Sequence, residues 1–250
     1  CNRIFEIEDN TLTAYKGNYS AYLPQKEAAV ALQQKQHDAD MEIDALLDES
    51  VWQDKKWYTN TYVDNLNGKK PVLRVTGFLT EKGVYLASVV EDTNLRDNGE
   101  RAPLANSNWE FRVTADNVGE ERSSNSLYCT SYNIDMKGEN FGINPNFDRA
   151  VRVEGELNSE NTTSATLEMF IPWESLGVDT SLGIPESFRV RPSYRAVLPG
   201  VNGNWPINLN ADGYQTKDFY TFTKEGYVNA DREGAVLGDS AVGYAKSANW

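Results

Sequence analysis

The stretch Glu168-Met-Phe-Ile-Pro-Trp-Glu-Ser-Leu-Gly177 decides the fold of the chain around it. Large apolar residues run up to Pro172, and a short polar turn follows from Trp173 to Gly177. Proline cannot donate a hydrogen bond to a sheet ladder, so it ends a strand or lies at a sheet edge. The stretch therefore predicts a β-strand that ends at Pro172 and is followed directly by a turn.

Downstream of residue 41, strand patterns alternate with turn signals such as Asn67-Gly68 and Asn202-Gly203. The segments predicted as strands are 41–46, 57–63, 71–79, 83–91, 109–115, 126–136, 149–157, 164–172, 187–198 and 218–223. About ten short strands without intervening helices are typical of a sandwich or a barrel. We predict an all-β fold, an antiparallel β-sandwich of the jelly-roll kind.

The first forty residues have a different character. Alternation over residues 4–15 predicts a hairpin around Asp9-Asn10, and strong helix formers over residues 18–40 predict a helical arm. Pro24 lies near the predicted helix start, where proline is tolerated. The sequence thus predicts two parts, a hairpin-plus-helix arm over residues 1–40 and a β-sandwich domain over residues 41–250.

Composition limits the partners of this chain. The net charge of −13 and the pI of about 4.6 disfavour nucleic acid and anionic membrane surfaces, which both require basic protein surfaces. No apolar run approaches the length of a membrane span, so we expect no membrane insertion. Cys1 and Cys129 form no disulfide framework. Because the chain lacks an initiator methionine, we expect a mature form or a fragment joined to other domains of a longer chain.

The body of the chain, about residues 41–250, resembles the carbohydrate-binding modules of family 9. Ile43-Asp-Ala-Leu-Leu-Asp-Glu-Ser-Val-Trp52 is similar to the opening of those modules, with Ala45 in place of their usual glycine. Gly83-Val-Tyr-Leu-Ala-Ser-Val-Val-Glu-Asp92 and the stretch ending at Gly177 resemble two later motifs. The resemblance implies a non-catalytic module that binds an oligo- or polysaccharide, with Trp52 and Trp173 in the structural frame.

Residues 1–38 resemble a different family, the F-subfamily ATP-binding-cassette proteins. Leu12-Thr-Ala-Tyr-Lys-Gly-Asn-Tyr-Ser-Ala-Tyr-Leu-Pro-Gln-Lys-Glu27 is similar to the point where the last hairpin of a cassette leads into the linker helix. ATP chemistry does not carry over, because Gly68-Lys69 lacks the other residues of a phosphate-binding loop. This resemblance implies a cytoplasmic location, whereas the first implies an extracellular or cell-surface one.

Aromatic and polar residues supply the candidate saccharide site. Sugar rings stack on aromatic faces, and their hydroxyls need charged or amide partners. Trp109 and Trp205 lie in turn-rich segments and are the candidate stacking residues, although each could instead pack under a loop. The candidate hydrogen-bonding partners are Arg112, Arg191, Arg195, Asn204 and Asn208.

A cation site is the second candidate. Asn208, Asn210 and Asp212, followed by Gly213, have the oxygen-ligand spacing of a calcium loop. Position twelve is Phe219, so an EF-hand is excluded, and a hydrated turn is the alternative reading. The acidic loop with Asp92, Asn94 and Asp97 offers a second such possibility. The first resemblance implies structural calcium, while no cofactor is required for binding.

Catalysis is not expected from these residues. The single histidine, His37, lies in the helical arm far from any serine motif, and zinc ligands are too few. We therefore expect the chain to be a saccharide-binding module of a larger secreted or cell-surface protein rather than an enzyme. The rival hypothesis is a structural or interaction domain that accompanies an ATP-binding-cassette linker and binds no sugar.

Overall fold

The structure is a computed structural model, and it describes most of the chain. The described residues are 2–8, 11–61, 71–93, 95–97, 99, 106–115, 130–142, 146–196, 207–210 and 219–228. The chain divides into two compact units, Cys1–Glu42 and Ile43–Trp250.

The first unit consists of a β-hairpin and one long helix. Strands β1 (Arg3–Glu8) and β2 (Thr11–Lys16) pair antiparallel, and α1 spans Tyr19–Asp40. Asn18 caps the helix, because its side chain accepts a hydrogen bond from the backbone N–H of Ala21 at 3.2 Å. The predicted hairpin and helical arm are confirmed, and the turn at residues 9–10 lies outside the described part.

Two antiparallel sheets form the second unit. The five-stranded sheet has the order β3-β4-β5-β9-β8. Its strands are β3 (Tyr58–Thr61), β4 (Val72–Leu79), β5 (Gly83–Glu91), β8 (Asp148–Glu154) and β9 (Ser164–Pro172). The short helix α2 (Ser50–Gln53) precedes β3.

The seven-stranded sheet is centred on β6. Its strands are β6 (Asn108–Ala115), β7 (Thr130–Asp135), β10 (Phe188–Arg191), β11 (Ser193–Ala196), β12 (Ile207–Asn210), β13 (Tyr220–Thr223) and β14 (Gly226–Tyr227). β7 pairs with one edge of β6, and β10 and β11 follow each other along the other edge. Pro192 separates these two strands because it has no N–H for the ladder, so the single strand predicted over 187–198 is divided in two.

Apolar side chains from both sheets meet in one core. Along β9, the inward positions are Ala165, Leu167, Met169 and Ile171, each fully buried. These four positions alternate along the strand as a face packed on the core requires, and Glu168 on the opposite face is also buried. The described residues thus form the antiparallel β-sandwich that the sequence predicts.

The stretch that closes β9 behaves as predicted. The chain leaves the sheet at Pro172 and makes a 3₁₀ turn over Trp173–Leu176. Gly177 ends the turn with φ of 72°, a left-handed conformation that costs glycine little. The indole of Trp173 is 1% exposed and donates to the backbone oxygen of Thr80 at 2.9 Å, so this tryptophan belongs to the structural frame.

The strand predicted over residues 41–46 is wrong. This segment is an irregular loop in which Ala45 and Leu47 have positive φ values of 63° and 55°. Positive φ is incompatible with strand geometry, and glycine adopts it at a lower cost than alanine does. The backbone N–H of Ala45 donates to the side chain of Glu168 at 2.9 Å instead of joining a ladder.

Membrane-spanning helices are absent from the described residues, since no helix there has the length and apolarity that a bilayer requires.

Candidate functional site

Trp109 lies inside the sandwich rather than on its surface. It is 0% exposed and pairs across the sheet with Ile134 of β7 and Tyr194 of β11. Trp109 shares the inward phase of β6 with Phe111, which is also fully buried. Its burial corrects the expectation that Trp109 stacks on a sugar, because no face of its ring reaches solvent.

Three of the predicted site residues, Trp205, Asn204 and Asp212, lie outside the described residues. Their roles in binding a saccharide or a cation stay predictions. The backbone of β12 is described, and it places Asn208 opposite Arg195 and Asn210 opposite Ser193.

Three of the predicted polar residues come together on one side of the seven-stranded sheet. We call this side, which faces away from the core, the outer face. It is formed by the residues of β6, β7, β10 and β11 that alternate with the apolar core residues, and Ser131, Asp135 and Arg191 among them are themselves buried. The described members used below are Glu110, Arg112, Ser131, Asn133, Asp135, Arg189, Arg191 and Arg195. The sequence indicates Arg112, Arg191 and Arg195 as candidate hydrogen-bonding residues, but it does not show that neighbouring strands bring them together.

Glu110 lies between two of these arginines. Its Oε2 accepts from Nη2 of Arg195 at 2.7 Å and from Nε of Arg195 at 3.2 Å, while Oε1 accepts from Nη2 of Arg112 at 3.2 Å. The three side chains are recessed, with 12% exposure for Glu110, 19% for Arg112 and 17% for Arg195. Charge-assisted hydrogen bonds at this depth hold both guanidinium groups in fixed orientations.

Two polar atoms beside Glu110 have unused hydrogen-bonding capacity. Nε of Arg112 and Oδ1 of Asn133 are both buried and find no partner within the described structure. Asn133 lies directly opposite Glu110 in the ladder of β6 and β7. Buried polar atoms in native proteins nearly always have partners, so an exception points to strain, a bound ligand or a functional role.

Arg191 extends the cluster by one strand. It lies opposite Arg112 in the ladder of β6 and β10, and it is 4% exposed.

Glu110 and Asn133 are residues of this face that the sequence analysis did not identify. The available signal was the spacing of Glu110 and Arg112, since residues two apart on a strand share a face.

A polar cavity of about 340 Å³ opens at the Asp135 end of the sheet. It is lined by Asp97, Gly99, Asp135, Lys137, Glu139, Asn140 and Phe141. Oδ1 of Asp97 accepts from Nζ of Lys137 at 3.0 Å and from the backbone N–H of Gly99 at 2.8 Å. Burial raises the pKa of Asp135 above its ordinary value, while backbone N–H groups of Glu139 and Lys137 oppose this shift.

The described carboxylates of the acidic loop before this cavity, Asp92 and Asp97, accept hydrogen bonds from protein side chains, and Asn94 lies outside the described residues. Asp92 accepts from the hydroxyl of Tyr194 at 2.8 Å, and Asp97 pairs with Lys137. Across the described ranges, no three His, Cys, Asp or Glu side chains are grouped to hold a metal. Calcium at this loop, and at Asn208, Asn210 and Asp212, therefore stays a prediction.

Glu168 is a buried carboxylate on the other sheet. Its Oε1 accepts from Nε1 of Trp52 at 3.0 Å, and its Oε2 accepts from the backbone N–H groups of Asp44 and Ala45 at 3.2 and 2.9 Å. Burial raises the pKa of Glu168 to about 7, outweighing the donors that favour the charged form. Because it is 0% exposed and fully engaged, Glu168 fixes the loop over β9 and is not placed to act on a ligand.

Comparison with known proteins separates the two parts of the chain. Residues 5–53 match a family model described as ABC transporter, which covers only a small part of the chain. No curated protein matches the sequence. The resemblance of the N-terminal residues to ATP-binding-cassette proteins is thus found again in sequence.

Solved structures resemble the sandwich. A family-9 carbohydrate-binding module from Caldicellulosiruptor kristjanssonii in complex with glucose aligns with a TM-score of 0.50 at 8% identity, covering 74% of this chain and 91% of the module. Its complex with cellotriose gives 0.47 at 6% identity, with 71% and 80% coverage. A putative carbohydrate-binding protein from Bacteroides uniformis gives 0.43 at 12% identity, with 68% and 86% coverage. The glucose complex shows that this chain shares the fold of family-9 modules.

Proposed function

We propose that the sandwich is a non-catalytic carbohydrate-binding module of a larger secreted or cell-surface protein. The saccharide lies on the outer face, where Glu110, Arg112 and Asn133 meet its hydroxyl groups. The fold shared with a glucose-binding module supports this proposal, and the arrangement of the outer face carries it.

The observation that carries the proposal is the unused capacity beside Glu110. A free donor, Nε of Arg112, and a free acceptor, Oδ1 of Asn133, flank a carboxylate that is already fixed in place. Sugar hydroxyls both donate and accept, so they satisfy such a mixed set. Recessed, preorganised polar groups of this kind give orientation and specificity in ligand sites.

Trp205 supplies the stacking surface in this proposal. It precedes β12 by two residues in the sequence, and β12 pairs with β11, which carries Arg195. The face of an aromatic ring provides apolar contact for a sugar ring.

Calorimetric titration of soluble oligosaccharides tests the proposal. Wild type is compared with Arg195→Met and with Arg152→Met, a matched control on the five-stranded sheet whose Arg152 pairs with exposed Glu154. Arg195→Met removes the two hydrogen bonds that hold Glu110 in place, so it should weaken binding by about tenfold or more, whereas Arg152→Met should leave binding unchanged. Equal binding by all three proteins, or no binding of any sugar, contradicts the proposed site.

The match of residues 5–53 favours a second candidate function, an interaction domain attached to an ATP-binding-cassette linker. Reading the coding sequence upstream of Cys1 separates the two. A cassette with a phosphate-binding loop there supports the linker hypothesis, whereas a signal peptide supports the cell-surface module.

A further inference from the structure

Residues 43–53 lie across the side of the five-stranded sheet that faces away from the core, and we call this segment the strap. We propose that the strap is pH-sensitive, and that it closes over the sheet with Glu168 protonated and opens locally with loss of that proton. This inference goes beyond the proposed function, because it concerns the opposite sheet and involves no saccharide. It is carried by the contacts between the strap and Glu168 and by the surface that the strap covers.

Glu168 is the residue that attaches the strap to β9. Three donors of the strap converge on its carboxyl group: the backbone N–H groups of Asp44 and Ala45 at 3.2 and 2.9 Å, and Nε1 of Trp52 at 3.0 Å. The carboxyl group thus holds both ends of the strap at once, and a change in its charge acts on all three hydrogen bonds.

The strap covers a row of aromatic side chains. Phe78 of β4, Tyr85 of β5 and Phe170 of β9 lie opposite one another in the ladders, so they share the outward side of the sheet. Neighbouring rings in this row have centroids 5.0 and 4.7 Å apart, and Trp52 packs on Phe78 at 5.1 Å. An open strap therefore uncovers apolar surface that the closed strap keeps from water.

The closed conformation of the strap is strained. Ala45 and Leu47 have φ values of 63° and 55°, in the left-handed region that residues other than glycine rarely adopt. Residues 41–49 belong to no strand or helix, so ladder hydrogen bonds do not offset this strain. Such strain persists only where surrounding contacts hold it in place. The hydrogen bonds to Glu168 are contacts of this kind, so weakening them favours opening.

The surroundings of Glu168 disfavour its charged form. The charged residues of the strap are all acidic, namely Asp44, Asp48 and Glu49. The residues opposite Glu168 on β5 and β8 are uncharged, namely Ala87 and Ala150. Burial raises the pKa of Glu168 to about 7, and the negative charge of Glu49 acts in the same direction, while the N–H donors of the strap oppose both.

The cations on this side of the sheet are engaged elsewhere. They are Arg74, Arg152 and Lys55, and the other titratable groups on this side include Tyr85, Glu91, Asp148 and Glu154. The two arginines pair with the two glutamates. Lys55 lies over the ring of Phe78, 5.0 Å from its centroid, and donates to the backbone oxygen of Lys224. These cations therefore do not balance an ionised Glu168 while the strap is closed.

The effect of pH on the strap follows from these surroundings. Below the ordinary pKa of a glutamate, Glu168 is protonated whether the strap is closed or open, so pH does not change the opening. Between that value and about 7, the closed strap keeps the proton, and an open strap, in which water reaches the carboxyl group, releases it. A rise of one pH unit in this range therefore favours opening about tenfold. Above about 7 the closed strap is itself ionised, and the dependence ends.

Hydrogen exchange followed by nuclear magnetic resonance measures the opening. The protection of the Asp44 and Ala45 amides and of the Trp52 indole N–H is measured between about pH 5 and 8 and corrected for the intrinsic exchange rate at each pH. We expect protection to fall by about tenfold per pH unit up to about 7 and then to level off. The internal control is the buried indole N–H of Trp173, which donates to the backbone oxygen of Thr80. It should stay more strongly protected than that of Trp52, because the strap opens without the core.

Three variants identify the group responsible. Glu168→Gln keeps an acceptor for the strap but cannot titrate, so the pH-dependent loss of protection should disappear. Glu49→Gln removes the neighbouring negative charge, so protection should level off at a lower pH, and this variant provides the test if Glu168→Gln does not fold. The control Glu186→Gln, at an exposed position outside the strands, should leave the profile unchanged.

Two results would overturn the inference. The first is protection of the wild-type strap that does not depend on pH, or a dependence that persists in Glu168→Gln and is unmoved in Glu49→Gln. The second is equal protection of the Trp52 and Trp173 indoles at every pH, which would mean that the strap opens only when the whole sandwich unfolds.

Discussion

Arg195 directs two N–H groups at a single oxygen of Glu110, with Nη2 at 2.7 Å and Nε at 3.2 Å. The two residues lie on neighbouring strands, β11 and β6, and Arg112 approaches the other oxygen of the same carboxylate. Glu110 therefore holds two arginines of the outer face in place, and we expect its loss to lower the stability of the protein.

Glu110→Ala should destabilise the protein by about 1–3 kcal/mol, because it leaves two recessed guanidinium groups without their acceptor. Urea unfolding at neutral pH measures the change. The matched control is Glu154→Ala, which removes the partner of Arg152 from an ion pair about half exposed on each side. Exposed pairs contribute about 0–1 kcal/mol, so equal losses in the two variants would contradict the central role of Glu110.

Trp109→Ala should cost about 3–5 kcal/mol of stability, because it empties a fully buried position in the core. The expected result is a lower urea midpoint, measured by tyrosine and tryptophan fluorescence. A variant that keeps wild-type stability but loses sugar binding would restore Trp109 as a binding residue.

Trp205→Ala should behave in the opposite way, with weaker saccharide binding and nearly unchanged stability. Loss of an aromatic stacking surface is expected to reduce affinity by roughly two- to tenfold, in line with about 0.5–1.5 kcal/mol for aromatic contacts. Calorimetric titration against wild type measures this. Unchanged affinity in the variant would remove Trp205 from the site.

The pKa of Glu168 predicts how stability changes with pH. Because burial raises this pKa from 4.5 in the unfolded chain to about 7 in the folded one, the folded state binds more protons between these values. The contribution of Glu168 is therefore fully present below pH 4.5 and is lost as pH rises through about 7. The slope is at most about 1.4 kcal/mol per pH unit.

Glu168→Gln isolates that contribution, because glutamine keeps an acceptor for Trp52 but does not titrate. Urea unfolding of wild type and variant at several pH values between about 5 and 8 should show a shallower decline in the variant. Parallel curves for the two proteins would mean that the carboxyl group of Glu168 titrates normally.

The strand that ends at Pro172 could be predicted from sequence because every local signal there agrees. The apolar alternation of β9, the proline and the left-handed Gly177 all point to one structure. The segment 41–46 could not be predicted in the same way. Its backbone is held by Glu168, more than a hundred residues away, and that contact overrides the local strand preference.

Only some residues of the candidate site could be identified from the sequence. Arg112, Arg191 and Arg195 were identified as hydrogen-bonding residues, but their meeting depends on the pairing of β6 with β10 and β11. The polar loop before Trp109 favours a surface position, whereas its alternation with Phe111 is that of a strand with one buried face and indicates the core.

The most direct test of the outer face as a saccharide site is a nuclear magnetic resonance titration of arginine side chains. The Nε–H resonances of Arg112 and Arg195 are followed as a soluble oligosaccharide is added, with Arg152 on the five-stranded sheet as the internal control. We predict saturable shifts for Arg112 and Arg195 and none for Arg152. Binding that leaves Arg112 and Arg195 unshifted, or that shifts Arg152 instead, would contradict the account.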